Sequence, residues 1–174
     1  MRLNVIGPFE IEAAHNGDLI PRSLSSWWEE VDSDYSGLST AKGCYVFAIR
    51  TSGGNTYCPW YVGKTNNQTF RGECFKPHQR THYLTALNRY RRAKPFLFLL
   101  PLTTPNGKYS SKNSSGVIDF VEKYLIGLAL RANDELLNIS DTRLYRDIII
   151  PGFLNSPQGN LGSGAKALRD TLIF

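Results

Sequence analysis

Two short segments of the chain carry residue types that could act together in catalysis. They are Gly43-Cys44-Tyr45 and Tyr61-Val62-Gly63-Lys64, followed by Arg71 and, much later, Glu122. Together they supply two phenols, two cations and one carboxylate. A carboxylate can hold a divalent metal ion beside a phosphate, and preorganised cations stabilise the charge that develops in the transition state. This set of residues therefore indicates metal-assisted hydrolysis of a phosphodiester.

Glu122 lies in a segment whose apolar residues have helical spacing. Ile118 and Ile126 stand four residues to either side of it, and Leu125 and Ala129 fall on the same side of the predicted helix. The carboxylate is thus expected at the margin of the buried stripe, where its charge needs a partner. Two interpretations remain open: Glu122 binds a metal ion, or it pairs with a neighbouring Lys or Arg.

The two tyrosines lie on adjacent predicted strands. Residues Cys44–Arg50 are apolar on both faces, which predicts a central strand, and the turn at 51–55 leads into a second strand at Trp60–Gly63. One face of this antiparallel hairpin could carry both hydroxyl groups. A phenol can move a proton only if its pKa is lowered, for example by nearby cations. The alternative is that both rings simply pack in the core.

The two tripeptides resemble those of the GIY-YIG nuclease superfamily, with Cys in place of one Ile and Val in place of the other. The resemblance extends to Lys64-Thr65, to Arg71 eight residues after Gly63, and to Glu122 within a helix. Asn138 fits the final asparagine of the family. The similarity covers roughly residues 42–140 and implies a GIY-YIG-like domain.

The resemblance implies hydrolysis of DNA around a single Mg²⁺ or Mn²⁺ ion. Glu122 would be the metal ligand, and Tyr45 would take the proton from the attacking water. Arg71 would balance charge on the phosphate, while Tyr61 would hydrogen-bond the phosphate or orient the water. The partner implied is DNA, in double-stranded form.

The resemblance also assigns supporting roles and exposes one departure. Lys64 would depress a tyrosine pKa, and Asn138 would hold the site together. Many family members carry a histidine one helical turn after the arginine, where this chain has Phe75. His78 and His82 are the candidates to replace that histidine. A catalytically weak or inactive nucleic-acid-binding module of the same fold is therefore the main alternative function, and an RNA-processing nuclease is another.

The same histidines allow a second metal hypothesis. Cys74, His78 and His82 would share one face of a continuous helix and could ligate zinc, with Cys58 as the fourth ligand. Pro77 argues against a continuous helix here. Closed zinc sites also show tighter paired spacing of their ligands, so the three cysteines are expected to be reduced thiols.

Charge is distributed unevenly along the chain. Residues 1–40 contain two basic and seven acidic side chains, whereas residues 64–94 contain eight basic and one acidic. A focused basic segment attracts polyanions, although it can also be no more than a solvated surface. The acidic segment could cover the basic one as an intramolecular DNA mimic. The residues expected to contact the nucleic-acid backbone are Lys76, Arg80, Arg89, Arg91 and Arg92.

The chain is expected to form an α+β domain with a small central mixed or antiparallel sheet of about three strands, flanked by helices. We expect an acidic N-terminal extension at 1–40, docked through Trp27 and Trp28, a catalytic domain at 41–140 and a C-terminal extension at 141–174. The elements predicted besides the hairpin are a strand at Val5–Ile11, helices at Leu24–Val31 and Pro77–Arg92, a strand at Phe96–Leu100, a helix at Gly116–Ala132, an extended segment at Tyr145–Ile150 and a helix at Ala165–Leu172.

The composition agrees with a folded protein that needs no membrane. Apolar residues make up 41% of the 174 residues and charged residues 20%, so a core is expected and disorder is not. The sequence shows neither a signal peptide nor a membrane-spanning run, which predicts a cytoplasmic location. It also shows no separate specificity domain. Base recognition would have to come from the insertions at 51–59 or 103–115, from a homodimer or from a partner protein.

Overall fold

The strand that carries Tyr45 lies inside an antiparallel sheet. In the computed structural model, strand β3 (Gly43–Thr51) pairs on one side with β4 (Cys58–Lys64) and on the other with β5 (Ala93–Thr103). Apolar residues on both faces of β3 suit a strand that has neighbours on both sides and cover above and below. The predictions of a central strand and of a hairpin are confirmed.

The N-terminal region adds strands to this sheet. Strands β1 (Arg2–Leu3) and β2 (Ile6–Glu10) both pair antiparallel with β5, so the sheet has five strands where about three were expected. Ile6 pairs with Leu99, more than ninety residues away in sequence. Such a distant partner leaves no local signal in the sequence, since strand patterning shows which residues are buried but not which strand they join.

Helices cover both faces of the sheet in an α+β arrangement. Helix α1 (Leu24–Asp34) and helix α3 (Pro77–Leu87) contribute to one core with the Tyr45 face of β3, and the short helix α2 (Phe70–Glu73) precedes α3. Helix α4 (Ser115–Ala132) packs on the other face, where Ile118 meets Cys44 and Leu100. The two faces of β3 thus belong to two separate apolar clusters.

Trp27 and Trp28 of α1 join the N-terminal region to the core, as predicted. Both rings are buried, and both contact Phe75 edge-on at centroid distances of 5.2 and 6.0 Å. The indole nitrogen of Trp27 also donates a hydrogen bond to the Glu10 carbonyl at 2.9 Å. Buried aromatic pairs of this kind combine area burial with favourable edge-to-face geometry.

Two predicted boundaries differ around residue 90. Helix α3 ends at Leu87 instead of Arg92, because the next residues turn back so that the Tyr90 hydroxyl accepts a hydrogen bond from the Trp60 indole at 3.2 Å. Strand β5 is longer than predicted and includes Pro95 and Pro101. Neither proline is a register partner of β1 or β2. The N–H that each proline lacks is therefore not needed for pairing on that side of β5.

The structure describes residues 2–12, 24–65, 67–110, 115–138, 142, 145–149 and 162–172. The chain divides into two units, Met1–Asn138 and Ile139–Phe174. The second unit contains helix α5 (Ser163–Leu172), close to the predicted one. Residues 145–147 are helical and 148–149 are exposed, so the strand or buried extended segment predicted at Tyr145–Ile150 is wrong over 145–149, and residue 150 lies outside the described residues. None of the helices in these ranges combines the length and apolarity needed to cross a bilayer.

Candidate functional site

The pairing register of the hairpin places both tyrosines on one face of the sheet. Tyr45 is opposite Gly63, and Phe47 is opposite Tyr61. Residues two apart on a strand share a face, so Tyr45 and Tyr61 are diagonal neighbours, with ring centroids 6.3 Å apart. The predicted common face is therefore present.

The two glycines of the tripeptides are required by close contacts. A Cβ atom on Gly63 would overlap the ring and hydroxyl of Tyr45, and a Cβ atom on Gly43 would overlap the backbone carbonyl of Leu100 in β5. The Tyr45 ring lies across Gly63, and β5 approaches β3 closely at Gly43. Both glycines thus allow groups of the protein itself to come close.

Tyr45 is completely buried, with 0% of its surface exposed. Burial, with the neighbouring Tyr83 as a smaller cause, raises the pKa of its hydroxyl well above the usual value. Gln79, which is itself buried, lies beside this hydroxyl. Tyr45 is therefore a protonated phenol that has no contact with solvent. A tyrosine that takes a proton from water would need contact with that water and a lowered pKa.

Tyr61 is more accessible and lies against a histidine. Its ring is half-buried and stacks on His82 of α3, with a centroid distance of 5.0 Å and an interplanar angle of 15°. Burial and the nearby carboxylate of Glu122 raise the pKa of Tyr61 to about 12, and the opposing effect of Lys64 is smaller. Lys64 acts in the predicted direction, but Tyr61 stays protonated at neutral pH.

Lys64 bridges two carboxylates of helix α4. Its ammonium lies 2.9 Å from Asp119 Oδ1 and 2.7 Å from Glu122 Oε2. Burial disfavours its charged form, but the hydrogen bonds to Glu122 and Asp119 outweigh burial and hold the pKa of Lys64 above its usual value. The side chain of Glu122 is only 10% exposed, which agrees with the prediction that it lies at the margin of the buried stripe. The structure thus contains the ion pair that the second interpretation of Glu122 predicts.

Asn138 clamps the outer edge of β4. Its side-chain oxygen accepts the N–H of Val62 at 2.8 Å, and its side-chain nitrogen donates to the Val62 carbonyl at 2.7 Å. The N–H of Leu137 also donates to the Trp60 carbonyl at 3.0 Å. These bonds satisfy backbone groups that an edge strand would otherwise leave open. Asn138 thereby fixes the strand that ends in Gly63-Lys64.

The position of the expected family histidine belongs to the core. Phe75 is 7% exposed and lies among Trp27, Trp28 and Tyr83. A histidine side chain there would enter an apolar cluster. Of the two candidates to replace it, His82 contacts Tyr61, whereas His78 is exposed. Burial, followed by the charge of His78, lowers the pKa of His82, which favours its neutral form.

Arg71 and the other basic residues fall into different environments. Arg71 is exposed on α2. Lys76 pairs with Glu73 at 2.6 Å, Arg80 is partly buried, and Arg89 pairs with Glu135 while its guanidinium lies over the Trp60 ring. Two of the predicted nucleic-acid contacts, Arg91 and Arg92, are exposed.

The zinc hypothesis does not fit the arrangement. Cys74 lies between α2 and α3 and not on a continuous helix, and burial raises its thiol pKa well above the usual value. His78, by contrast, points to solvent as an exposed residue. Within the described ranges, no group of three His, Cys, Asp or Glu side chains is placed to hold a metal ion.

A magnesium or manganese ion needs fewer protein ligands. Mg²⁺ is commonly bound by one or two carboxylates, with water and substrate phosphate completing its shell. Asp119 and Glu122 lie one helical turn apart, and both reach the same cationic group. This pair is a suitable donor set for such an ion once Lys64 moves aside.

Three residues near the site were missed in the sequence. Asp119 shares Lys64 with Glu122, and its spacing of three residues on the same helix was the available signal. Glu73 binds Lys76 and the amide nitrogen of Gln79, the latter at 3.1 Å, and it is the only acid in the basic segment. No sequence pattern indicated Gln79, because the burial of a polar residue beside Tyr45 becomes visible only in the folded structure.

Comparisons of this chain with protein-family models, with curated proteins and with solved structures found no match.

Proposed function

We propose that this protein is a divalent-metal-dependent endonuclease that hydrolyses DNA phosphodiester bonds at a GIY-YIG-type site. The observation that carries the proposal is the convergence of Tyr61, Lys64 and Glu122 at the edge of β4, where Asn138 holds the strand. A paired cation and carboxylate with a phenol close enough to feel both charges are a suitable set for binding and polarising a phosphate.

Asp119 and Glu122 would hold the Mg²⁺ or Mn²⁺ ion. When bound, the ion would supply positive charge to stabilise the pentavalent phosphate. In the structure the single ammonium of Lys64 bridges the two carboxylates. In the proposed enzyme its ammonium would turn from them to an oxygen of the scissile phosphate.

The two tyrosines would have different tasks. Tyr61, half-buried and protonated, would donate a hydrogen bond to a phosphate oxygen or orient the attacking water. Tyr45 is expected from the family resemblance to accept the proton of that water, but to do so it must first become accessible and give up its own proton. In the structure its ring lies across Gly63 and supports the end of β4.

His82 is the described group beside Tyr61 that is best suited to accept a proton. Its lowered pKa keeps the imidazole neutral near pH 7, which is the form of a general base. Arg71, exposed on α2, would supply the cation that balances charge on the phosphate.

A nucleic-acid-binding module without cleavage is the second candidate. The observation that favours it is the bridge of Lys64 across Asp119 and Glu122, because a lysine between the two carboxylates competes with a metal ion. The raised pKa values of both tyrosines also favour the binding module.

Nicking of supercoiled DNA distinguishes the two candidates. Purified protein is incubated with plasmid in the presence of Mg²⁺, Mn²⁺ or EDTA, and conversion to open-circular and linear forms is followed on gels. Glu122→Gln preserves size and is expected to lower the nicking rate by at least about a hundredfold. Glu29→Gln, an exposed acid of α1, is the matched control and should cut like the wild type.

Three outcomes decide the matter. Metal-dependent nicking that is lost only in Glu122→Gln supports the endonuclease. Cleavage that survives Glu122→Gln refutes the assigned site. Binding of DNA without cleavage by the wild type under every metal condition supports the binding module instead.

A further inference from the structure

A cation-rich cavity lies at the end of β3 opposite to Tyr45. Its volume is about 340 Å³, and its lining contains three cations and no acid. The residues that line it are Arg50, Thr51, Ser52, Gly53, Arg92, Ala93 and Lys94. Arg50 lies five positions after Tyr45 along the strand, so the cavity is about 17 Å from the tripeptide site.

Arg50 is held in a fixed position beside this cavity. One of its guanidinium nitrogens donates a hydrogen bond to the Tyr57 hydroxyl at 3.1 Å, and the guanidinium lies over the Phe96 ring at 4.8 Å. The stacked arginine loses little side-chain entropy on binding a ligand and keeps its full charge. The cavity therefore contains one preorganised cation.

The two other cations remain available to an anion. Lys94 is the register partner of Arg50 and pairs with Glu10 at 2.6 Å, but both side chains are largely exposed, and such pairs contribute little. The backbone carbonyl of Arg92 accepts the Ser52 N–H at 3.1 Å, which anchors the loop. The side chain of Arg92 makes no ion pair in the described part of the chain.

We propose that this cavity binds a backbone phosphate of a nucleic-acid strand. Phosphate is the ligand class that fits, because the lining offers positive charge and small residues but no base-sized aromatic platform. The cavity would anchor the strand at a second point, remote from Tyr61 and Glu122. The inference rests on the proposed function only in naming a nucleic acid as the ligand, and it does not require cleavage.

Adjacent arginines provide the first test. Arg91 and Arg92 are both exposed, but only Arg92 lines the cavity. Binding of a fluorescent DNA duplex is measured in EDTA between about 50 and about 200 mM salt, where phosphate contacts dominate the affinity. Arg92→Ala is expected to reduce the slope of log K against log salt by about one and to weaken binding more than Arg91→Ala.

A charge placed in the cavity provides the second test. Ser52 is exposed and lines the cavity, so Ser52→Glu adds a negative charge there without removing a basic residue. Ser52→Gln is the neutral control of the same size. Binding should be weaker for Ser52→Glu than for Ser52→Gln, with unchanged circular dichroism in both.

The outcomes are separable from those of the proposed function. Weaker binding by Arg92→Ala and Ser52→Glu than by their controls supports the phosphate site even if the protein never cuts DNA. Equal losses in Arg91→Ala and Arg92→Ala, or equal binding by the two Ser52 variants, would overturn it. So would a wild-type protein that binds no duplex at low salt.

Discussion

The two ends of strand β3 handle positive charge in opposite ways. At the Tyr45 end, Lys64 is 25% exposed and lies between two carboxylates, so its charge is neutralised within the protein. At the Arg50 end, three cations surround a cavity whose lining has no acid, and of these only Lys94 has an ion-pair partner in the described part of the chain, the exposed Glu10. Both ends belong to one sheet and one basic chain. They differ in burial and in whether helix α4 brings acids to them.

This difference explains why net charge alone does not locate a site. A cation that is partly buried must be paired, whereas exposed cations can stay unpaired and attract an anion. The Tyr45 end is therefore suited to chemistry that begins with displacement of Lys64 from its partners. The Arg50 end is suited to electrostatic attachment alone.

Removal of the clamp on β4 should have the largest effect on stability. Asn138→Ala leaves the buried N–H and carbonyl of Val62 without their side-chain partner, and each such group costs about 1–3 kcal/mol. We expect a loss of about 3 kcal/mol in the free energy of unfolding, measured by urea denaturation. Asn67→Ala, at an exposed bend, is the control. A loss below about 0.5 kcal/mol in Asn138→Ala would contradict the clamp.

Neutralising one cation at each end of β3 should lower stability more at the Tyr45 end than at the Arg50 end. Lys64→Met removes the partner of Asp119 and Glu122, and a charged hydrogen bond contributes about 1.5–3 kcal/mol. Arg92→Met removes an exposed charge and should change stability by less than about 0.5 kcal/mol. Thermal unfolding at neutral pH compares the two variants. Equal stability of Lys64→Met and Arg92→Met would remove the contrast between the ends.

The titration of His82 is expected to have the smallest effect on stability. Burial lowers its pKa in the folded state, so the unfolded chain binds more protons between that pKa and about 6.5. Stability should therefore rise with pH through this window and be lost as pH falls. His82→Phe keeps an aromatic ring against Tyr61 but cannot titrate. Denaturant midpoints that vary with pH equally in both proteins would show that His82 is not the cause.

Local pattern was enough to predict several parts of the site. The alternation around Tyr45 and Tyr61 predicted the hairpin and the common face, and the spacing of Ile118 and Ile126 placed Glu122 on a buried stripe. These features depend on residues close in sequence, where the periods of strands and helices decide which side chains share a face.

Other parts depended on partners that are distant in sequence. The pairing of β1 and β2 with β5 and the burial of Phe75 under Trp27 and Trp28 involve long separations along the chain. The expectation of lowered tyrosine pKa values failed for the same reason. That expectation rested on cations near the tyrosines in sequence, but in the folded protein burial raises the pKa of both tyrosines, and the carboxylate of Glu122 adds to this at Tyr61.

The sequence by itself determined the α+β class, the hairpin with its two glycines and the helix that carries Glu122. Each of these follows from local patterning and from the backbone approach that only glycine permits. Tertiary structure alone decided that Tyr45 is sealed in the core while Tyr61 is half-buried against His82, and that Lys64 bridges Asp119 and Glu122. The physical reason is that burial and charge pairing are properties of the packed molecule, set by segments that meet only after folding.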